Sequence, residues 1–259
     1  MKIIEINKKK RFYEIKFDND EVIDVLEDVV VKHLLIKNKV ISILEFQAIK
    51  EDELFFETIS KTIKYLHKPR FISDVKTYLK KSNLSVNKQD EVVEYLIKMR
   101  YIDDYKTSIT YLNYYLSEKK GMYFIKNFLI KKDVKTDIID LVLKDYDDEK
   151  ALNNLNLLFQ SHLKNKAKKS KNQVINSFRE IAYLKGYSKA MINEVLINNQ
   201  DKIEQIDDIK RLKFDLEKCH LKYKNKYEGY QLKQKIIQSL LTKGYNYDDI
   251  IDSFSIINL

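Results

Sequence analysis

The chain has 259 residues, 44% of them hydrophobic, and a formal net charge of +9, but only four glycines and one proline. Folds built from strands and tight turns need more of both residues, so the sequence predicts a mostly helical protein with enough apolar content for sizeable cores. A single cysteine, Cys219, excludes a disulfide framework and fits a reducing cytoplasm. No apolar run reaches the length of a membrane span and the first residues lack a signal-peptide core, so we expect a cytoplasmic protein without membrane association.

The basic surplus has two interpretations. A net charge of +9 indicates a polyanionic partner such as nucleic acid. Only five of the 48 basic residues are arginines, however, whereas phosphate recognition favours the planar fork of arginine. A composition rich in lysine, asparagine and isoleucine also results from an AT-rich genome with no functional cause. The charge alone therefore does not decide between these interpretations.

Residues 1–50 form the first predicted module. Apolar and polar residues alternate, as in half-buried strands, in residues 4–6, 13–17 and 21–25. The segments between the strands, residues 8–11 and 18–20, are predicted turns. The first of these turns is basic, and it either contacts phosphates or keeps a sheet edge solvated. Two helices, at about residues 26–37 and 43–50, complete the module.

Residues 51–106 are predicted to form a three-helix repeat. Apolar residues recur at helical spacing in three segments, at about residues 51–66, 73–81 and 88–99. Pro69 ends the first helix, because the residue before a proline is pushed out of helical geometry.

The same plan recurs, which predicts tandem three-helix repeats in an elongated array at residues 51–106, 107–146, 147–200 and 207–259. Its clearest marks are Leu184-Lys185-Gly186-Tyr187 and Leu241-Thr242-Lys243-Gly244-Tyr245, each followed by four residues and an isoleucine. A left-handed helix cap favours glycine, and then aspartate or asparagine, so the predicted repeat caps are Asn83, Asp133, Gly186 and Gly244. The alternative is an irregular helical domain with two similar turns.

The sequence contains no recognisable catalytic arrangement or cofactor site. The four histidines are scattered without metal-ligand spacing, and the glycines stand alone rather than in a phosphate-binding loop. Adjacent aspartate pairs fall near predicted helix starts, where they complement the positive end of the helix dipole. We therefore expect a protein that is not an enzyme and that holds no metal or cofactor.

Several short motifs, in order along the chain, carry a family resemblance. They are Lys68-Pro69-Arg70 with Asp74-Val75, Tyr101-Ile102-Asp103-Asp104, Lys120-Gly121, and a C-terminal stretch from Asp215 to Asp248 that includes Lys243-Gly244-Tyr245. Together with the N-terminal strands, they resemble the RecX family of RecA regulators, in the longer form of low-GC Gram-positive bacteria. The resemblance covers nearly the whole chain. Phe71 stands where the family usually has a Ser or Thr N-cap, so we expect the second helix of the first repeat to begin at Ser73.

The resemblance implies a monomeric, non-enzymatic modulator of DNA repair, recombination and the SOS response. RecX-like proteins are elongated chains of three-helix repeats that lie in the groove of the RecA–DNA filament, contact adjacent protomers, inhibit ATP hydrolysis and strand exchange, and favour filament loss. The candidate contacts with the RecA nucleoprotein filament, or with single- or double-stranded DNA, are Lys68, Arg70, Lys119, Lys120, Lys126, Lys164, Lys166, Lys168, Lys169, Lys171, Lys224 and Lys226.

The alternative function is that of a helical DNA- or RNA-binding protein unrelated to RecA. Tyr223, Tyr227 and Tyr230 stand among lysines, and such tyrosines can stack on unpaired bases. The same tyrosines could instead pack on the core of the last repeat. Likewise, the lysine-rich residues 164–171 either contact phosphates or form a solvated loop.

Overall fold

A computed structural model describes residues 1–165 and 169–256 of the chain. Within these residues, three strands are followed by fourteen α-helices and a 3₁₀ turn, which confirms the predicted mostly helical class with N-terminal strands. None of the helices in these two ranges is long and apolar enough to cross a membrane.

The elements are named here in chain order. The strands are β1 (Ile3–Lys8), β2 (Tyr13–Phe17) and β3 (Val22–Val25). The helices are α1 (Glu27–Lys32), α2 (Ile43–Tyr65), α3 (Ile72–Leu79), α4 (Val86–Lys98), α5 (Asp104–Ser117), α6 (Met122–Lys131), α7 (Thr136–Leu143), α8 (Asp148–Asn165), α9 (Lys171–Leu184), α10 (Lys189–Asn198), α11 (Gln200–Glu204), α12 (Asp208–Tyr223), α13 (Gly229–Thr242) and α14 (Tyr247–Ser253), with the 3₁₀ turn at Phe254–Ile256.

The chain divides into two compact units. The first combines Met1–Thr110 with Leu129–Ile139, and the second combines Tyr111–Phe128 with the chain from Asp140 onward. The divisions fall inside α5, α6 and α7, so they do not coincide with the predicted repeat boundaries. The four-repeat organisation stays a prediction.

In the first unit, the strands form an antiparallel sheet in the order β1-β2-β3. A register irregularity between Ile3 and Glu5 places Ile3 in the core and leaves Ile4 exposed, whereas Ile6 packs against the core. The predicted alternation is therefore wrong at Ile4 and holds at Ile6. The inner face of the sheet packs with Phe46 and Ile49 of α2.

Helix α2 is continuous where the sequence predicts two helices, at residues 43–50 and 51–66. Phe46 and Ile49 pack in the core of the strand module, whereas Ile59 packs in the core formed with α3 and α4. One helix therefore serves two cores, and no glycine or proline interrupts it. The predicted module boundary at residue 50 lies inside this helix.

Helix α3 begins at Ile72, one residue before the predicted start at Ser73. Two carboxylates provide the capping acceptors that Phe71 lacks. Asp74 accepts a hydrogen bond from the Phe71 N–H at 3.3 Å, and Asp104 accepts one from the Ile72 N–H at 2.9 Å.

Left-handed turns close many of the helices. Asp133, Gly186 and Gly244 have φ values of 56°, 85° and 79°. At Gly186, the Tyr187 N–H bonds to the Ala182 carbonyl at 3.1 Å and the Gly186 N–H to the Tyr183 carbonyl at 2.8 Å, which is the Schellman pattern. Turns with the same pattern, but without a glycine, asparagine or aspartate, follow α1, α4 and α5 at Leu34, Arg100 and Lys119.

Asn83, the fourth predicted cap, has no positive φ. Helix α3 ends at Leu79, and the Ser82 N–H and hydroxyl both donate to the Leu79 carbonyl, at 2.8 and 2.7 Å. A serine hydroxyl thus takes the role predicted for a left-handed asparagine, and Asn83 lies in the loop beyond it.

Candidate nucleic-acid interface

In the second unit, the turn that ends α9 docks on the start of α6 through the backbone. The Gly121 N–H donates to the Lys185 carbonyl at 2.8 Å, and the Tyr123 N–H donates to the Gly186 carbonyl at 3.0 Å. A Cβ on Gly121 would collide with the Gly186 carbonyl, and a Cβ on Gly186 would collide with the backbone nitrogen of Phe124. Glycine is therefore required on both sides of this contact.

The turn that ends α13 docks on the start of α9 through side chains instead. The Ser170 hydroxyl donates to the Lys243 carbonyl, and the Asn172 amide donates to the Gly244 carbonyl, both at 2.7 Å. In the first unit, the Ser73 hydroxyl likewise donates to the Lys132 carbonyl at 2.6 Å. A lysine therefore occupies the same position in three docked turns.

Two of these three lysines are held by carboxylates. Lys132 pairs with Asp74 at 2.8 Å, and Lys243 pairs with Asp215 at 2.7 Å. Lys185 has no carboxylate within ion-pair distance in the part of the chain that the structure describes. The docked turn at Lys185 thus differs from the others in its electrostatics.

Lys185 lies instead among other lysines. Burial, followed by the charges of Lys120 and Lys119, lowers the pKa of Lys185 below its ordinary value, and Glu118 opposes this shift weakly. We call Lys119, Lys120 and Lys185 the Lys185 cluster. Because it concentrates like charges that have no ion pair in the described chain, a bound polyanion would relieve its repulsion.

Aromatic rings adjoin this cluster. The Lys120 ammonium lies 4.5 Å from the centroid of the Phe124 ring, which contacts Tyr115 edge-on at 5.1 Å. The connected rings are Tyr111, Tyr114, Tyr115, Phe124 and Phe128. Tyr114 is about half exposed, at 53%. Lysines beside partly exposed rings can hold a phosphate backbone and stack on unpaired bases.

The other predicted contacts have varied settings. Lys68 is exposed. The Arg70 guanidinium lies 4.6 Å from the Tyr65 ring, which stacks on Tyr78 at 4.2 Å. Its Nε is buried and has no hydrogen-bond partner in the described chain. Arg70 thus packs partly as a structural residue.

Further along the chain, Lys171 is paired with Glu204 at 2.9 Å and the Lys169 carbonyl accepts a bond from the Arg211 guanidinium. Lys166 and Lys168 lie outside the described residues. Five predicted contacts remain solvent-accessible and have no ion pair among the described residues, namely Lys68, Lys126, Lys164, Lys224 and Lys226.

Sequence reasoning missed Lys185 as a candidate contact. Its neighbour Gly186 was identified as a helix cap, but the sequence gives no sign that this turn docks beside Lys119 and Lys120. The one usable signal was Gly121, since a glycine directly after two lysines at a helix start permits close backbone approach.

No candidate metal centre is found in residues 1–165 and 169–256. These residues contain no group of three or more His, Cys, Asp or Glu side chains placed to hold an ion. Cys219 is buried in the core of α12, α13 and α14.

Comparison with known proteins identifies the family. A family model described as "RecX, third three-helix domain" matches residues 207–252. The chain is 30% identical over 258 residues to the regulatory protein RecX of Streptococcus pneumoniae serotype 19F, covering 96% of this chain and 97% of that protein. It is 32% identical over 256 residues to the regulatory protein RecX of Streptococcus equi subsp. equi, with the same coverage. The chain belongs to the RecX family.

Solved RecX structures share its fold. A crystal structure of regulatory protein RecX superposes with a TM-score of 0.69 at 21% identity, over 75% of this chain and 98% of that one. RecX from Lactobacillus salivarius superposes with a TM-score of 0.54 at 19% identity, over 57% and 97%. These structures show the shared fold, and the Streptococcus relatives, which are at least 30% identical over nearly the whole chain, make this protein a RecX-type regulator.

Proposed function

We propose that this RecX-family protein binds the nucleoprotein filament of the RecA recombinase and inhibits its ATP hydrolysis and strand exchange. It acts as a monomer in the cytoplasm and without catalysis of its own. Family membership supports the choice of partner, and the Lys185 cluster carries the proposal at the level of residues. Among the three docked-turn lysines, Lys185 alone lies among like charges without an ion pair in the described chain.

In this proposal, the Lys185 cluster contacts DNA phosphates of the filament. Structural lysines lower their energy by pairing with carboxylates, as Lys132 and Lys243 do. Three lysines packed together without such pairing are suited to a dense line of negative charge. Lysine phosphate contacts carry little sequence information, which fits a regulator that acts along a filament of any sequence.

The test is a titration of the protein against preformed RecA filaments on single-stranded DNA, with ATP hydrolysis as the readout. The wild-type chain is expected to inhibit. The variant K119Q/K120Q/K185Q should need roughly tenfold more protein for half inhibition, and its log–log salt dependence on single-stranded DNA should flatten by about 0.7 for each lost contact.

A matched control removes the same charge elsewhere. Lys98, Lys144 and Lys150 are exposed and lack ion pairs in the described chain, so K98Q/K144Q/K150Q should inhibit like the wild type. Equal loss in both variants would mean that net charge alone matters, and the Lys185 cluster would then not be the contact.

Nucleic-acid binding without RecA is the second candidate function, favoured by the aromatic rings beside the Lys185 cluster. The same titration separates the two functions. Tight binding to single-stranded DNA with no effect of wild-type protein on filament ATP hydrolysis would reject the RecA proposal and favour this one.

A further inference from the structure

The first compact unit exposes a group of aliphatic side chains around the α1–α2 connection. Val31, Leu34, Ile36, Val40, Ile43 and Leu44 are between 65% and 78% exposed. We call these six residues the Leu34 patch. Single exposed aliphatic residues are ordinary, but six of them within residues 31–44 indicate an interaction surface.

Hydrogen bonds hold the patch together. The Lys39 ammonium donates to the His33 carbonyl and to the Glu45 carboxylate, both at 2.6 Å. The end of α1 and the first turn of α2 therefore lie within reach of a single ammonium group. Leu34 directly follows one of these anchors and Leu44 directly precedes the other.

Buried side chains and backbone hydrogen bonds also fix the α1–α2 connection. Leu35 and Ile41 are buried, at 3% and 1% exposure, between exposed neighbours. The Ile41 N–H bonds to the Met1 carbonyl at 2.8 Å, and the Ile3 N–H bonds to the Lys39 carbonyl at 2.9 Å. A surface fixed in this way loses little conformational entropy when it binds a partner.

Leu34 itself is in an unfavourable conformation. Its φ is 46°, in the left-handed region that favours glycine and asparagine, and its side chain is 72% exposed. Neither folding nor solubility calls for a leucine here. A strained apolar residue held out to solvent points to a role in binding.

The charges around the patch are largely neutralised. Lys32 and His33 contact Asp52 at 2.7 and 2.6 Å, and Lys39 contacts Glu45. Lys37 is an exposed cation of the same connection without an ion pair in the described chain. An apolar surface with so little free positive charge fits a protein partner and not a phosphate backbone.

The exposed area of the patch distinguishes between possible protein partners. Six side chains exposed to this degree present on the order of 500 Å², within the usual range for the largest patch on a monomer. A stable dimer needs about 800 Å² from each subunit, so a second copy of this chain held by the patch alone would be undersized. A filament protomer that also contacts other parts of the chain has no such restriction.

We propose that the Leu34 patch is a protein-docking surface that seats on an apolar area of a RecA protomer in the filament. This proposal rests on the proposed function. It assigns the protein and the DNA of the filament to two different surfaces of the chain. The Leu34 patch binds protein, whereas the Lys185 cluster binds DNA.

The experiment compares filament binding by the full chain and by L34N/I43Q/L44Q, measured by co-sedimentation with RecA filaments at constant salt. Asparagine suits the left-handed backbone at Leu34, and glutamine at Ile43 and Leu44 keeps the net charge and the helix. The variant should bind filaments roughly 30-fold more weakly, since three aliphatic contacts are lost. Its binding to bare single-stranded DNA should be unchanged.

A matched control, V86Q/I209Q/L221Q, removes three exposed aliphatic residues outside the patch and should bind like the wild type. If L34N/I43Q/L44Q loses helicity, the single Leu34→Asn variant carries the test, with an expected loss of about fivefold. Wild-type filament binding by a folded variant overturns the docking surface and leaves the proposed function intact.

Two other results would also overturn the inference. Absence of filament binding by the wild-type chain rejects the proposed function, and the docking surface with it. A wild-type dimer in sedimentation that L34N/I43Q/L44Q converts to a monomer would assign the patch to a second copy of this chain instead.

Discussion

The turns at Lys185-Gly186 and Lys243-Gly244 share a local structure but dock in different ways. Both have a left-handed glycine closed by a Schellman pair of hydrogen bonds. The first docks backbone to backbone, with glycine required on each side. The second docks through the side chains of Ser170 and Asn172. One sequence pattern therefore permits two kinds of interface, which respond differently to substitution.

A single carboxylate accounts for the electrostatic difference between these turns. Asp215 of α12 accepts a hydrogen bond from the Tyr245 hydroxyl at 2.9 Å and pairs with Lys243 at 2.7 Å. Helix α8, which precedes the other turn, has no carboxylate after its first two residues. Lys185 is accordingly unpaired and the buried Tyr187 hydroxyl has no partner in the described chain. This difference is what the proposed phosphate contact of Lys185 requires.

The largest expected effect comes from adding a methyl group to the backbone contact. Gly121→Ala should lower the free energy of unfolding by about 3 kcal/mol or more, because its Cβ would meet backbone atoms of Gly186 and Tyr187 that cannot move independently. Urea unfolding followed by circular dichroism measures this loss.

Substitutions at two other glycines provide reference values for this loss of stability. Gly229 has φ 49° and open space around it, so Gly229→Ala should cost about 1 kcal/mol from the left-handed conformation alone. Gly244→Ala should fall between the two, since its Cβ would meet the Asn172 side chain at 2.9 Å. If Gly121→Ala costs no more than Gly229→Ala, the backbone-to-backbone docking is wrong.

Removing the hydroxyl of the tyrosine that follows each glycine should change the free energy of unfolding in opposite directions at the two turns. Tyr187→Phe removes a buried hydroxyl that has no partner in the described chain, and it should raise the free energy of unfolding by about 1 kcal/mol. Tyr245→Phe removes a hydrogen bond to a carboxylate and should lower it by about 1.5 kcal/mol. Thermal melts of both variants test the pair, and equal shifts in one direction would show that Asp215 does not distinguish the turns.

The elements that sequence predicted best are those with a local cause. Gly186 and Gly244 mark helix ends because a left-handed residue is needed there, and alternation in residues 13–17 identifies a strand. Lys119 and Arg100 adopt the same left-handed conformation without a favourable residue type, so residue type alone does not locate every such turn. The continuity of α2 was missed because the first and last parts of the helix pack in different cores.

The candidate site could be predicted only in part. Lys119 and Lys120 are recognisable as adjacent basic residues, but their clustering with Lys185 depends on contact between two turns far apart in sequence. The pairing of Lys243 with Asp215, which makes that lysine structural, is equally invisible without the fold. Basic composition therefore identifies the candidates, and tertiary structure decides which of them are left for a partner.

The smallest expected effects concern the two lysines, whose replacement should change the free energy of unfolding in opposite directions. Lys185→Met removes a charge crowded by burial and by Lys120 and Lys119, so it should raise the free energy of unfolding by a few tenths of a kcal/mol. Lys243→Met breaks the pair with Asp215 and should lower it by roughly 1 kcal/mol. Anisotropy with labelled single-stranded DNA should show severalfold weaker binding for Lys185→Met, and little change for Lys243→Met.

The effect of Lys185→Met on stability should depend on pH. Because the pKa of Lys185 is lowered by folding, the unfolded chain holds that proton more tightly, and the stability contributed by Lys185 rises as pH increases from the lowered pKa to the ordinary value of 10.5. The stabilisation of Lys185→Met over wild type should therefore be greatest at neutral pH and vanish above pH 10.5. Urea unfolding of both proteins across that range measures the difference. A Lys185→Met variant that is destabilised at neutral pH, with unchanged DNA affinity, would show that Lys185 is structural after all, like Lys243.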